Sequence, residues 1–326
     1  MSADQPAERA GAHAWHVLTP DRYHLAEGAR YCRHAGGARP HGRLLFVDLL
    51  AGDLYACRDG LGQAPVRLAA LGTPLGAVAP LIEAAGGSGG AGGAGGTGGW
   101  IAAAGTGIAV VHPGGRTRWL ARPEAGSAVP MRMNDGVCDP AGRFWAGSMA
   151  ADGTPGKGSL YRVEHDGSVR RVLSGLSVPN GPAFTPCGSV MYLADSAERT
   201  ILRIPCDPRS GELGRPALFV SFPDGGGRPD GMTVDDRGRL WVAVWGAGQV
   251  RAYTSDGTLQ RTLRLPTPHA TSIAFGDGRM YVTTARHRLA DPDPLAGAVL
   301  SRRCRTTAPP AAGFGRSGLA LTQRGG

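Results

Sequence analysis

The chain has 326 residues, 42% of them hydrophobic and only 6% aromatic, with 53 glycines and 25 prolines. Glycine and proline at that density supply the backbone angles of many tight turns and puncture long helices, so short strands are expected. The formal charge of +9 comes from arginines scattered through turns, with Lys157 the sole lysine and no basic run, which disfavours a nucleic-acid partner.

Six cysteines show no Cys-x-x-Cys spacing, so a zinc cage or redox dithiol is not expected. Residues 1–20 lack a basic start followed by an apolar run, and no stretch approaches the roughly 20 apolar residues of a membrane span. The expectation is a cytoplasmic protein with reduced thiols and no membrane partner, as a monomer or small homo-oligomer.

Taken in chain order, one pattern recurs. Gly42-Arg-Leu-Leu-Phe46-Val-Asp48 is a glycine turn opening an apolar strand with an early aromatic. A weaker copy is Trp100-Ile-Ala-Ala-Ala104, after the glycine run Gly86–Gly99, which reads as a surface loop. Asp139-Pro-Ala-Gly-Arg-Phe-Trp145 follows, then Gly188-Ser-Val-Met-Tyr192, Asp235-Asp-Arg-Gly-Arg-Leu-Trp241 and Gly278-Arg-Met-Tyr281. The marker aromatics Phe46, Trp100, Trp145, Tyr192, Trp241 and Tyr281 are separated by 54, 45, 47, 49 and 40 residues. A period in the forties suits a four-stranded propeller blade. Asp166-Gly167 and Asp256-Gly257 between alternating stretches add hairpin signals. Six markers predict an all-β, six-bladed β-propeller over residues 21–305, with residues 1–20 an N-terminal extension and 306–326 a disordered tail. The markers themselves are read as packing between blades.

Polar groups lodged where innermost strands begin need an explanation, because burying them unpaired is costly. Four places qualify: Glu27-Gly28, Asn134-Asp135-Gly136, Asn180-Gly181 and Asp230-Gly231. Each acid or amide is followed by glycine and precedes its marker aromatic by 11 to 19 residues, in blades one, three, four and five. Any one of them could be a plain turn. Their shared phase in the repeat argues for oxygen ligands converging on one axis, with Glu27, Asn180 and Asp230 as candidates for a hard divalent cation. No histidine shares the phase, which disfavours a His-rich zinc site.

At these residues the sequence resembles the gluconolactonase, regucalcin (senescence marker protein) and luciferin-regenerating-enzyme family, from about Glu27 to about Leu300. The stretches that carry the resemblance are Arg132-Met-Asn-Asp-Gly-Val-Cys-Asp-Pro-Ala-Gly-Arg-Phe-Trp145, Pro229-Asp-Gly-Met-Thr-Val-Asp-Asp-Arg-Gly-Arg-Leu-Trp241 and Leu263-Arg-Leu-Pro266 with Thr271-Ser-Ile-Ala-Phe275. It implies one divalent metal in the channel (calcium, zinc, manganese or magnesium) on Glu27, Asn180 and Asp230, and substrate contacts at Arg132 and Asn134. Counting on from Asn134 puts a further substrate-binding acid at Asp152. The chain departs from the family pattern at Ala29 and Tyr31, where proline and tryptophan are usual, and at Leu300-Ser-Arg-Arg-Cys304, which replaces the expected closing strand.

The implied activity is metal-dependent hydrolysis of a sugar lactone, with Asp230 also accepting a proton from the attacking water. Arg132 and Asn134 would hold the sugar, while Asp135 braces the turn. The alternatives are a non-catalytic calcium-binding protein of regucalcin type, and a sugar-acid dehydratase or other cyclic-ester hydrolase on the same site.

Overall fold

The computed structural model describes residues 14–33, 42–57, 64–83 and 98–316. Residues 1–13, 84–97 and 317–326, which hold most of the expected extension, most of the glycine-rich loop and the end of the tail, lie outside the described residues. Six sheets, each built on a four-stranded antiparallel meander, form a six-bladed β-propeller. Its only helical turn among the described residues is Pro113–Gly115, and no helix there is long and apolar enough to cross a membrane.

Each blade repeats one meander. Blade one is Ala26–Arg33, Gly42–Asp48, Asp53–Cys57 and Val66–Ala70; blade three is Met131–Cys138, Phe144–Ala150, Gly158–Val163 and Val169–Leu176. The inner strands of the other blades are Leu75–Glu83, Pro179–Phe184, Arg228–Val234 and Ala270–Gly276. Successive inner strands pack on one another and so ring the axis. All six marker aromatics fall on the second strand of their blade, and none is more than 9% exposed. Six apolar clusters fill the six wedges between neighbouring blades, such as Trp145 with Met191 between three and four. The period is therefore a blade period: each blade places one large buried ring on its second strand, where it packs against a neighbouring blade.

Both ends of the propeller differ from the limits read from sequence. His16 and Val17 pair with Ser301 and Leu300, so a strand from the expected extension closes blade six, and Val299–Arg303 is a regular strand of that blade. The chain after Arg303 is not a loose tail up to residue 316. Cys304 N–H donates to Gly278 O at 2.9 Å, Asp236 N–H to Thr307 O at 2.9 Å and Ala311 N–H to Tyr31 O at 2.8 Å. Phe314–Arg316 then adds a parallel strand to blade two, and Gly315 N–H reaches Gly142 O of blade three at 3.1 Å. This strap crosses the end of the channel where the inner strands finish, lining one cavity with Val137, Ala183, Val234 and Phe275. Most of its bonds to the blades are backbone to backbone, joined by one from the His165 ring to Gly315 O at 2.8 Å and by the burial of Phe314, and none of these needs the side-chain period of the blades.

Candidate metal and substrate site at the open mouth

The inner strands share a second feature. Each carries a register shift near its start: between Glu27 and Arg30, Leu75 and Ala77, Met133 and Gly136, Asn180 and Ala183, Pro229 and Met232, and Ala270 and Ser272. A bulge adds one residue against its partner strand, bends the strand and re-aims a side chain. The glycines that looked like turns are part of these bulges; Gly28 and Gly181 hold φ of +61° and +78°, which a side chain would resist. Gly76 serves closeness instead, since a Cβ there would sit 1.7 Å from the carbonyl oxygen of Asn134. Blades two and six carry no carboxylate or amide at this phase, so the polar set comes from one, three, four and five.

A chain of hydrogen bonds links three of those blades. Arg132 Nη1 donates to Asn134 Oδ1 at 2.6 Å and to Met133 O at 3.1 Å. Asn134 Nδ2 donates to Asn180 Oδ1 at 2.8 Å and to Pro179 O at 2.9 Å. Asn180 Nδ2 donates to Ser196 Oγ at 2.8 Å, and Ser196 Oγ to Pro229 O at 2.5 Å, the residue before Asp230. Ser196 was not foreseen, because it follows the second strand of blade four and carries no signal in the repeat. Asn134 was expected to touch substrate, but here both ends of its amide are engaged in orienting Arg132 and Asn180.

Two carboxylates stand beside this chain with little to answer their charge. Glu27 and Asp230 are 7% and 4% exposed. Burial, followed by the neighbouring Asp230 and Asp135 carboxylates, pushes Glu27 well above the usual carboxylate range. Burial and then Asp135 do the same to Asp230, despite a hydrogen bond from Gly231 N–H. Asp230 Oδ1 is buried with no hydrogen-bond partner. Arg132, half-buried, is the nearest counterweight: burial disfavours its charge, while Glu27 and Asp230 favour it.

Asp135 is the turn brace that the sequence suggested. It accepts from Gly136 N–H at 2.7 Å and Gly181 N–H at 3.1 Å, and pairs with Arg30 Nη2 at 3.2 Å. Arg30 thus turns away from Glu27 and toward blade three.

Asp152 is not brought into the cluster. It lies on the turn between the second and third strands of blade three, at the same mouth as Arg132, because Ala151 N–H donates to Pro130 O at 2.8 Å. It is exposed, and its Oδ1 accepts from Thr154 N–H at 2.9 Å and Thr154 Oγ1 at 2.8 Å, which holds the carboxyl below its ordinary range.

Among the described residues no group of three or more His, Cys, Asp and Glu side chains forms a metal cage. A cation here would rest on two carboxylates and the Asn180 amide. That all-oxygen set, with one carboxylate oxygen buried and unpartnered, fits a hard divalent ion.

A family model described as "SMP-30/Gluconolactonase/LRE-like region" matches residues 25–286. Pentonolactonase XacC of Haloferax volcanii is 40% identical over 159 residues, 48% of this chain and 54% of its own. The chain thus spans about half the length of that relative. Regucalcin of Sus scrofa is 30% identical over 261 residues, covering 77% of this chain and 82% of its own. The crystal structure of a calcium-binding protein, regucalcin, from Agrobacterium tumefaciens superimposes with a TM-score of 0.79 at 25% identity, over 93% of this chain and 97% of that one.

Proposed function

Because the chain belongs to the SMP-30/gluconolactonase/LRE-like family, we propose that it hydrolyses a sugar lactone at the channel mouth where Glu27, Asn180 and Asp230 stand, using one divalent cation. The observation that carries this reading is the pair of buried carboxylates, both pushed well above the usual range, one with an unpartnered oxygen, beside a half-buried guanidinium. A chain that only needed stability would gain by replacing them with apolar residues. The relatives named as lactonases support the reaction class.

When bound, the cation supplies a Lewis acid for the lactone carbonyl and offsets the charge of Glu27 and Asp230. Arg132, fixed by Asn134, lies where it can hold ring oxygens and balance negative charge as the carbonyl carbon becomes tetrahedral. Asp230 takes the proton of the attacking water as its oxygen bonds to that carbon. The ring C–O bond then breaks, and the proton passes to the departing ring oxygen to leave an open hydroxy acid. Asn180 and Ser196 hold the backbone before Asp230 in register, so the base does not drift.

The experiment is hydrolysis of a panel of aldonolactones by the full chain, before and after chelation and with calcium, magnesium, manganese or zinc restored. Loss on chelation and recovery with at least one ion is the expected result. Metal binding without hydrolysis of any lactone would favour a calcium-binding role of regucalcin type instead.

A further inference from the structure

Beside Arg132 lies a cavity of about 490 Å³ that extends outward over blades one and two. Its size falls within the range of roughly 300–1,000 Å³ that small-molecule sites occupy. Arg132 forms one wall, so the cavity adjoins the candidate site through that residue.

Its surfaces are of two kinds. Trp119 is 36% exposed, a large ring on the last strand of blade two, and Leu50, 38% exposed, lines the same cavity. Among these apolar surfaces stand the Thr73 and Thr106 hydroxyls and the Arg122 guanidinium. Arg122 lies over the Trp119 ring, 5.0 Å from its centroid, and gives Nε to Thr106 Oγ1 at 3.1 Å. That contact fixes the indole and leaves the guanidinium ends for a ligand, since no other hydrogen bond of the Arg122 side chain is found among the described residues. The floor is preformed by backbone bonds: Gly105 N–H donates to Pro74 O at 2.7 Å, and Met133 N–H to Gly105 O at 2.8 Å. Gly105 keeps the space open, because a Cβ there would come 2.8 Å from Thr73 Oγ1 and 3.5 Å from Trp119.

A flat indole next to hydroxyl and guanidinium hydrogen-bonding groups is the chemistry that recognises a pyranose ring, whose C–H face is apolar and whose edge is hydroxylated. We propose that this cavity is a second sugar subsite, and that the chain takes aldonolactones carrying a glycosidically linked second ring. The proposal rests on the lactonase reading of the adjoining site. A lactone of this class arises by two-electron oxidation of a reducing disaccharide at its anomeric carbon, so a dehydrogenation or oxidation must supply it, and its hydrolysis releases a disaccharide acid.

The test compares cellobionolactone with gluconolactone on the full metal-loaded chain, together with calorimetric binding of the two open-chain acids. The disaccharide lactone should have the higher kcat/KM. Trp119→Ala should lower that value about tenfold and leave gluconolactone unchanged, as loss of one well-packed aromatic anchor does. Leu50→Trp, which fills the cavity from an exposed position, should exclude the disaccharide by size and spare the single ring. Calorimetry keeps the two readings apart. If neither lactone is hydrolysed but cellobionate binds more tightly than gluconate and loses that advantage in Trp119→Ala, the subsite stands and the lactonase reading fails. Equal handling of both sugars by the unaltered chain, or a lactone with an aliphatic or aromatic tail outcompeting the disaccharide, would overturn the proposal.

Discussion

Two sets of buried carboxylates in this propeller look alike by burial and differ in everything else. Asp139 and Asp235, on the turns that open the second strands of blades three and five, are 2% and 0% exposed. Each is surrounded by donors. Asp139 accepts from Arg143 N–H at 3.0 Å, Arg143 Nε at 2.7 Å and Trp145 Nε1 at 3.0 Å. Asp235 accepts from the N–H groups of Arg237 and Arg239, from Arg239 Nε at 2.7 Å and from Trp241 Nε1 at 2.8 Å. Glu27 and Asp230, at the channel mouth, are as deeply placed but lack such a shell, and Asp230 Oδ1 has no partner. What sets the candidate carboxylates apart is therefore not burial but a charge that the chain leaves unanswered.

The sharpest way to break this contrast is to neutralise one member of each set. Asp230→Asn should lower kcat/KM by about 10²- to 10⁴-fold, the scale of a lost general base. It should leave the thermal midpoint of the chelated protein unchanged or higher, because a buried repulsion disappears. Asp139→Ala should do the reverse. It strands the Arg143 guanidinium, whose side chain is 4% exposed, and should cost about 3–5 kcal/mol by denaturant titration with turnover per folded molecule intact. If Asp230→Asn destabilised the chelated protein as much as Asp139→Ala, the contrast would fail.

The next effect is smaller and is read against pH. In the metal-free protein Glu27 and Asp230 hold protons above the ordinary carboxylate range, whereas in the unfolded chain they release them within it. Where only the folded state keeps the proton, stability falls as pH rises, by about 1.4 kcal/mol per pH unit for each proton retained. The stabilising contribution is complete below the ordinary range and is lost through the raised pKa values. A bound cation takes the place of those protons. The difference in melting temperature between cation-loaded and chelated protein should thus widen from pH 5 to pH 8 in scanning calorimetry. A constant difference would place the ion elsewhere.

Most of the propeller was legible because its packing rule repeats: one large buried ring on the second strand of each blade gives the forties period, and Asp139-x-x-Gly-Arg-x-Trp145 repeats as Asp235-x-x-Gly-Arg-x-Trp241 because each acid answers an arginine and an indole. The candidate residues Glu27, Asn180 and Asp230 were legible for a related reason. A bulge needs a small residue, so acid or amide followed by glycine recurs at one phase. What escaped notice has no period. Ser196 sits off the inner strands, and the strap over 304–316 is held mostly by main-chain bonds, with the His165 ring and the buried Phe314 as isolated side-chain contacts outside the repeat. The full engagement of the Asn134 amide is a matter of distances across blades, which residue types alone do not set.

The smallest expected effect concerns Asp152, and it sharpens the contrast from the exposed side. Asp152 came from counting along a loop, where a one-residue difference in loop length moves the residue off its mark. Its carboxyl is exposed, and one oxygen already closes the Thr154 turn. Only the second oxygen is left to meet a substrate hydroxyl, and water competes for it. A contact of that kind transfers little binding free energy, so Asp152→Asn should change kcat/KM by no more than about threefold on any single lactone. The informative reading is the ratio between lactones that differ in one hydroxyl at the position nearest blade three. If Asp152 touches substrate, that ratio shifts in Asp152→Asn and returns in Asp152→Glu, which keeps the charge and adds reach. A ratio identical in all three proteins would make Asp152 a turn-former, and Arg132 would then be the contact to substrate that blade three supplies.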